Sequence, residues 1–155
     1  MEWLPNHIPE SEETVALVHG DYRLDNMIFH PTEPRIIGIL DWELSTLGDP
    51  LADLAYQLMA WQFPREGGIA GLAGLDRSEL GLPSDEDYIA AYCQRTGRSG
   101  IDNWPFYMAF CFFRIAAILQ GIKKRAQIGT ASSAEADSRA IMVGPLAALG
   151  AACIP

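Results

Sequence analysis

The sequence is poor in positive charge. Its 155 residues include only two lysines, Lys123 and Lys124, and its formal net charge at pH 7 is −9. A chain with this negative charge is repelled by a nucleic acid backbone and by an anionic membrane surface, so we expect neither as its main partner. It also lacks the glycine-rich loop ending in Lys and Ser or Thr that cradles nucleotide phosphates.

Cysteine is scarce as well. Cys93, Cys111 and Cys153 are widely spaced and form no Cys-x-x-Cys pair, which excludes a cysteine-based zinc site and favours a reducing compartment. The longest apolar run, residues 106–119, is interrupted by Arg114 and is too short to span a bilayer. The amino terminus is acidic and has no apolar signal region. We therefore expect a cytoplasmic protein.

Hydrophobic residues make up 49% of the chain and charged residues 20%, which is typical of one globular domain of this length. Short apolar runs predict a buried strand over residues 14–18 and two more strands over residues 27–29 and 36–40. The sequence His-Pro-Thr-Glu-Pro between the last two runs is typical of a turn. We therefore expect a β-hairpin over residues 27–40.

The rest of the chain predicts helices. Asp49-Pro50 supplies an N-cap carboxylate followed by a proline, which indicates a helix start. Apolar residues then recur at helical spacing and predict one buried face: Leu51, Leu54, Ala55, Leu58 and Met59. A helix-rich α+β domain is the expected fold class.

Three later helices complete this prediction. One follows the cap-like sequence Ser-Asp-Glu-Asp at residues 84–87 and ends near Gly97. A central one covers residues 103–125. The last starts near residue 133 and is kinked or ended at Gly144-Pro145. We expect the glycine-rich segment 67–74 to be a flexible loop without a role in phosphate binding.

Two stretches carry the candidate chemistry: Leu-Val-His-Gly-Asp-Tyr-Arg-Leu-Asp-Asn at residues 17–26 and Ile-Leu-Asp-Trp-Glu at residues 39–43. They place Asp21, then Asn26 five residues later, then Asp41 beyond the hairpin. Kinase-type phosphotransferases supply a catalytic base and two magnesium ligands in this order. Magnesium takes oxygen ligands, and these three residues can provide them.

With these stretches and the later Gly-Asp-Pro and Asp-Leu-Ala at residues 48–55, the chain resembles the aminoglycoside phosphotransferase and choline kinase-like family. The run Phe-Arg-Ile-Ala-Ala-Ile-Leu-Gln-Gly at residues 113–121 resembles the subgroup associated with acyl-CoA dehydrogenases. The resemblance implies the carboxy-terminal lobe of a protein-kinase-like fold, with a short β-hairpin and about four helices. It further implies ATP as co-substrate and Mg²⁺ as cofactor, with Asp21 as base and Asn26 and Asp41 on the nucleotide-bound metal.

The neighbouring residues allow two interpretations each. Arg23 lies where protein kinases place a lysine, so it is either a catalytic group facing the transferred phosphate or a surface arginine. Glu43 either reaches the metal through water or is a solvated carboxylate. We expect His19 to brace the loop and Asp53 to bind the loop backbone, and Asp25 to be a loop carboxylate.

The resemblance also implies what is missing from these 155 residues. The family has an amino-terminal lobe with a phosphate-covering loop and a lysine, and neither feature is found here. We expect residues 1–155 to form one partial domain, with the catalytic loop, metal-binding hairpin and first helix in 1–64 and a helical substrate-side subdomain in 65–155. Such a chain should be inactive without the other lobe, supplied in cis or in trans.

Exposed apolar residues such as Trp3, Leu4 and Ile8 are then expected where that lobe would pack, and self-association is a further expectation. The substrate should be a small hydroxylated molecule; the charge of −9 is compatible with a cationic one, whereas the subgroup points to an acyl-CoA-like one. Two other functions remain open at this stage. A non-catalytic kinase-like binding or regulatory module would explain the absent lysine, and a metal-dependent hydrolase would use the same carboxylates on water.

Overall fold

The computed structural model describes residues 2–10, 15–65, 71–128 and 141–155. Within these ranges the chain forms five helices and four short strands. The helices are α1 (Trp3–Asn6), α2 (Leu51–Trp61), α3 (Asp85–Thr96), α4 (Trp104–Gln127) and α5 (Val143–Ala152), and the strands are β1 (Ala16–Val18), β2 (Met27–Phe29), β3 (Ile36–Ile39) and β4 (Thr46–Gly48). The predicted helix-rich α+β fold is confirmed.

The strands form two separate antiparallel pairs. β2 and β3 pair with Met27 opposite Ile39, which confirms the hairpin predicted over residues 27–40. β1 pairs with β4, with Val18 opposite Thr46. The sequence analysis did not predict β4, because three residues that include a glycine carry no alternation of apolar and polar side chains.

Helix α2 begins as its sequence predicted. The Asp49 side chain accepts a hydrogen bond from the backbone N–H of Leu51 at 2.9 Å, which satisfies a donor that the first helical turn leaves unpaired. The five residues of the predicted apolar face are all buried, with Ala55 and Leu58 fully so. Local sequence was therefore sufficient to place this helix.

Helix α3 is also capped as predicted. The Ser84 hydroxyl accepts from the backbone N–H of Asp87 at 3.0 Å, and Gly97 ends the helix with a φ of +73°, a left-handed conformation that favours glycine. The prediction for α5 was wrong. Gly144 and Pro145 lie in the first turn of this helix rather than at its end, where proline removes no hydrogen bond. The predicted start near residue 133 and residues 66–70 of the glycine-rich segment lie outside the described residues.

Helix α4 is the centre of the molecule. It packs between α2 and α5, and Phe112, near its middle, is fully buried. By length and composition alone, this helix of 24 residues could cross a membrane. It is longer than the apolar run of residues 106–119 that the sequence analysis considered. The central helix of a globular core meets the same criteria, and α4 contributes to the core from Tyr107 to Leu119.

Candidate active site

The loop after β1 is shaped by Gly20. This residue has a φ of +83°, and a Cβ atom built on it would lie 2.6 Å from the carbonyl oxygen of Leu44. Both the left-handed backbone and the close approach of another backbone segment require glycine here. The loop can therefore turn sharply against the segment between β3 and β4, which brings Asp21 to the site.

Asp53, in the first turn of α2, holds the loop by its backbone. One carboxylate oxygen accepts from the N–H of His19 at 2.6 Å, and the other accepts from the N–H of Gly20 at 2.9 Å. Hydrogen bonds to a charged acceptor are stronger than neutral ones. Asp53 thus joins the start of the first core helix to the loop and places no atom on Asp21 itself.

The His19 side chain joins the loop to the end of the hairpin. It is 2% exposed, its Nε2–H donates to the carbonyl oxygen of Leu40 at 2.7 Å, and its Nδ1 accepts from the backbone N–H of Asp21 at 3.2 Å. These partners assign the ring proton to Nε2. The imidazole also contacts the ring of Trp42, with centroids 4.6 Å apart. Both ring nitrogens are hydrogen-bonded to backbone groups, so the His19 side chain links the loop to the end of the hairpin.

Asn26 and Asp21 contact each other directly. The side-chain nitrogen of Asn26 donates to the backbone oxygen of Asp21 at 2.9 Å and to its carboxylate at 3.0 Å. Asn26 is 9% exposed and ends a short 3-10 turn that leads into β2. Because its nitrogen is occupied by Asp21, the amide oxygen is the atom of Asn26 that could bind a cation.

The hairpin brings the backbone that precedes Asp41 into contact with Asn26. The backbone N–H of Leu40 donates to the carbonyl oxygen of Asn26 at 2.8 Å, and Asp41 is the next residue. Its φ of 64° and ψ of 54° are left-handed, and in the described ranges it is the one non-glycine residue with a positive φ. Such backbone conformations concentrate at functional sites. The Asp41 side chain is exposed, and so is that of Glu43 in the next turn.

Arg23 lies beside the Asp21 carboxylate. Its Nε is 3.6 Å from Asp21 Oδ2, and its Nη1 is 3.6 Å from the largely exposed carboxylate of Asp25. The Nε atom is buried and has no hydrogen-bond partner among the described residues. Arg23 is thus part of the site, with one donor directed into it.

Two residues that the sequence analysis did not assign to the site also reach it. Buried Tyr56, on α2, lies close enough to Asp21 for the charge of that carboxylate to act on its hydroxyl. Burial raises the pKa of Tyr56 to about 12, with a further contribution from the negative charge of Asp21. Arg114, on α4, donates from Nη2 to the carbonyl oxygen of Gly20 at 2.6 Å. A lone arginine within an apolar helix was the sequence signal that could have identified it.

The site fits magnesium better than it fits a metal held by protein alone. In the parts of the chain that the structure describes, no three His, Cys, Asp or Glu side chains converge into a metal site. Magnesium commonly takes one or two side-chain ligands and completes its shell with substrate phosphates and water. Asn26 and Asp41 are a donor set of that kind.

Comparison with known proteins points to the same chemistry. Residues 1–109 match the model of the phosphotransferase enzyme family. The chain is similar to a Ralstonia eutropha protein of known crystal structure, assigned as an aminoglycoside phosphotransferase, with 51% identity and a TM-score of 0.91; the match covers 98% of this chain and 46% of that one.

Two curated relatives are longer still. The chain is 50% identical over 150 residues to acyl-CoA dehydrogenase family member 10 of Mus musculus, which covers 96% of this chain and 14% of the relative. It is 43% identical over 152 residues to acyl-CoA dehydrogenase family member 11 of Gallus gallus, again over 96% of this chain and 20% of the relative. The chain therefore spans a fifth or less of the length of these two relatives.

Proposed function

The chain belongs to the phosphotransferase enzyme family, and on that premise we propose that it carries the catalytic residues of a small-molecule kinase. The reaction is transfer of the γ-phosphoryl group of ATP to a hydroxyl group. The observation that carries the proposal is the direct bond from Asn26 to the Asp21 carboxylate at 3.0 Å. The bond between Leu40 and Asn26, one residue before Asp41, supports a place for Asp41 in the same site.

Each residue has a role that its position supports. Asp21 orients the attacking hydroxyl and accepts its proton, because its carboxylate is partly exposed and so accessible to a substrate. Asn26 and Asp41 hold Mg²⁺, which when bound screens the charge of the nucleotide phosphates. Glu43 supports the metal through water, and Arg23, whose Nε donates no hydrogen bond in the described residues, stabilises negative charge on the phosphoryl group.

The acceptor in this proposal is a hydroxylated acyl-CoA-like molecule. The curated relatives with 41–50% identity carry the name acyl-CoA dehydrogenase, so an acyl-CoA is a compound that such a longer protein would encounter. A cationic acceptor, such as an amino sugar or choline, is the competing choice that the charge of −9 favours. The two acceptors differ in charge, so one assay distinguishes them.

The proposal includes a second lobe that completes the nucleotide site. Large apolar side chains are exposed on both strand pairs next to the catalytic loop, including Leu17, Phe29 and Leu47 at 61%, 54% and 73%. An apolar surface of this kind is typical of a site of protein–protein or domain contact. Near the amino terminus Ile8 is 68% exposed, whereas Trp3 and Leu4 are half-buried.

The test is a phosphoryl-transfer assay with radiolabelled ATP on residues 1–155 alone and on residues 1–155 with the second lobe supplied in cis or in trans. We expect the completed protein to label a hydroxyacyl-CoA and to leave an aminoglycoside and choline unlabelled, with near-background turnover by residues 1–155 alone. Magnesium-dependent nucleotide binding without transfer to any acceptor would instead support the regulatory module. Phosphate release without an acceptor would support the hydrolase.

A further inference from the structure

We infer that Tyr56 and Arg114 are positioning residues for the catalytic loop: Arg114 fixes the Gly20 carbonyl group and Tyr56 fixes the Asp21 carboxylate. The inference rests on the proposed function for its meaning, since it gives these two residues a part in phosphoryl transfer. It rests on the structure for its geometry. Neither residue belongs to the sequence motif of residues 17–26.

The Arg114 contact joins residues that are 94 positions apart in the chain. Its Nη2 donates to the carbonyl oxygen of Gly20 at 2.6 Å, on the residue that immediately precedes Asp21. Asp53 already binds the N–H of Gly20. Two different helices therefore fix the two polar backbone groups of Gly20: Asp53 of α2 binds the N–H, and Arg114 of α4 binds the carbonyl group. Fixing this peptide backbone also orients Asp21, the next residue.

Tyr56 completes the arrangement from α2. Its side chain is in the core cluster and 7% exposed, and its hydroxyl is near enough to the Asp21 carboxylate to interact with its charge. The guanidinium carbon of Arg114 lies 5.2 Å from the centre of the Tyr56 ring, within the range of a cation–π contact. Each of the two residues therefore holds the other in place as well as the loop.

This pair should matter for catalysis because a base that orients a nucleophile must itself be oriented. The Asp21 carboxylate receives a hydrogen bond from Asn26 and lies near the Tyr56 hydroxyl. If Tyr56 is removed, Asn26 alone directs a carboxylate that can rotate. Small displacements of a reacting group reduce kcat strongly, whereas they leave binding of distant substrate parts intact.

The chain offers matched controls for both residues. Tyr107 is a second buried tyrosine, 8% exposed, whose hydroxyl donates to the Asp49 carboxylate at 2.6 Å, away from the loop. Arg77 is a second arginine over an aromatic ring, with its guanidinium carbon 5.6 Å from the Trp61 ring. A variant of each control removes the same type of contact without touching Gly20 or Asp21.

The first experiment needs no enzymatic activity. In the full chain with ¹³C-labelled tyrosine Cζ atoms, Asp21→Asn should shift the Tyr56 resonance and leave that of Tyr107 in place, and Asp49→Asn should do the reverse. Amide hydrogen exchange at residues 19–21 should accelerate in Arg114→Met, recover in Arg114→Lys, and stay unchanged in Arg77→Met. A Tyr56 resonance indifferent to Asp21→Asn, or loop exchange indifferent to Arg114→Met, overturns the inference.

The second experiment measures transfer by residues 1–155 completed with the second lobe in cis or in trans. Tyr56→Phe should lower kcat about tenfold or more with the KM for ATP nearly unchanged, because only orientation in the transition state is lost. Arg114→Lys should retain more activity than Arg114→Met, and Tyr107→Phe should match the unmodified enzyme. Equal kcat in Tyr56→Phe and the unmodified enzyme contradicts the inference. Absence of transfer in the unmodified enzyme contradicts the kinase proposal instead, and the resonance and exchange measurements then still decide the positioning contacts.

Discussion

The strand part of the molecule, residues 15–48, and its helical part, residues 51–155, are built on different principles. All the residues of the main core cluster lie after residue 50. The strand part instead exposes eleven large apolar side chains: Val15, Leu17, Leu24, Ile28, Phe29, Ile36, Ile37, Leu40, Trp42, Leu44 and Leu47. The helical part is stabilised by its own buried surface. The strand part carries the candidate chemistry and lacks such a core.

The contacts between the two parts explain how a loop with so little packing of its own is kept in place. Asp53 binds the two backbone N–H groups of His19 and Gly20, and Arg114 binds the Gly20 carbonyl. The helices thus act on the loop through a few strong polar bonds rather than through a shared core. The core cluster and the candidate catalytic residues therefore lie in different parts of the chain. Substitutions in the two parts should change the free energy of unfolding by different amounts.

The largest expected effect on stability comes from the core of the helical part. Phe112 is fully buried and its ring lies 6.3 Å from that of Phe63. Phe112→Ala should lower the free energy of unfolding by about 3–5 kcal/mol, since it removes a large buried side chain and leaves a cavity. Phe29→Ala, at a residue 54% exposed in the strand part, should change it by about 0.5 kcal/mol or less. Urea unfolding measures both, and similar losses would contradict the separation.

The second prediction compares two glycines with the same backbone conformation. Gly20 has a φ of +83° and Gly74 one of +82°, but an added Cβ meets the Leu44 carbonyl only at Gly20 and open space at Gly74. Gly74→Ala should therefore lower the free energy of unfolding by only about 1–2 kcal/mol, the cost of a left-handed backbone for a residue with a Cβ atom. Gly20→Ala should lower it by more, because a backbone atom of Leu44 also has to move. Thermal unfolding measures both variants. Equal decreases in stability would show that the close approach of Leu44 to Gly20 does not add to the cost of the substitution.

The third prediction concerns the bond between the parts. Asp53→Ala leaves two backbone N–H groups without their acceptor and should lower stability by about 1.5–3 kcal/mol, the range for bonds to charged groups. Asp85→Ala removes an ion pair with Arg77 of 2.6 Å at the partly exposed start of α3, and should lose about 1 kcal/mol or less. Chemical denaturation distinguishes them, and a smaller loss for Asp53 than for Asp85 would count against its role in holding the loop.

The last expected effect is absent at neutral pH and appears only in alkaline solution. Burial raises the pKa of the Cys111 thiol from 9.0 to about 12, so the unfolded chain loses this proton at a lower pH than the folded chain. The stability from this group is complete below pH 9 and is lost as the pH rises toward 12. In Cys111→Ala the free energy of unfolding should decline less steeply between pH 9 and 11 than in the unmodified protein. Tyr56, whose pKa is also raised, adds the same decline to both proteins. Parallel declines would mean that Cys111 is not protected from ionisation.

Sequence was most informative where structure is local. The hairpin, the Asp49 and Ser84 caps, and the buried face of α2 follow from a few adjacent residues, and all were predicted. β4 was missed because its pairing with β1 depends on residues about 30 positions away. Gly144-Pro145 was misread because a proline marks the end of one helix or the start of another, and only the tertiary context decides between them.

The site divides in the same way. Asp21, Asn26 and Asp41 were predicted from their type and order, and the structure shows the contact between Asn26 and Asp21. The contacts of Tyr56 and Arg114 arise only when α2 and α4 pack together. Tyr56 read as an ordinary helix residue, and Arg114 read as a single charge that interrupted an apolar run. Long-range contacts between residues of unremarkable local sequence are what a one-dimensional pattern cannot supply.

The most direct test of the central claim compares Asp21→Asn with Asp41→Ala in residues 1–155 completed with the second lobe, with magnesium-dependent ATP binding and kcat measured on the same samples. Asp21→Asn should bind ATP and magnesium nearly as the unmodified protein does and lose most of its kcat, because orientation of the nucleophile matters chiefly in the transition state. Asp41→Ala should lose the magnesium-dependent part of ATP binding as well, because it removes a metal ligand. Full activity in Asp21→Asn, or unchanged magnesium-dependent binding in Asp41→Ala, would contradict the account.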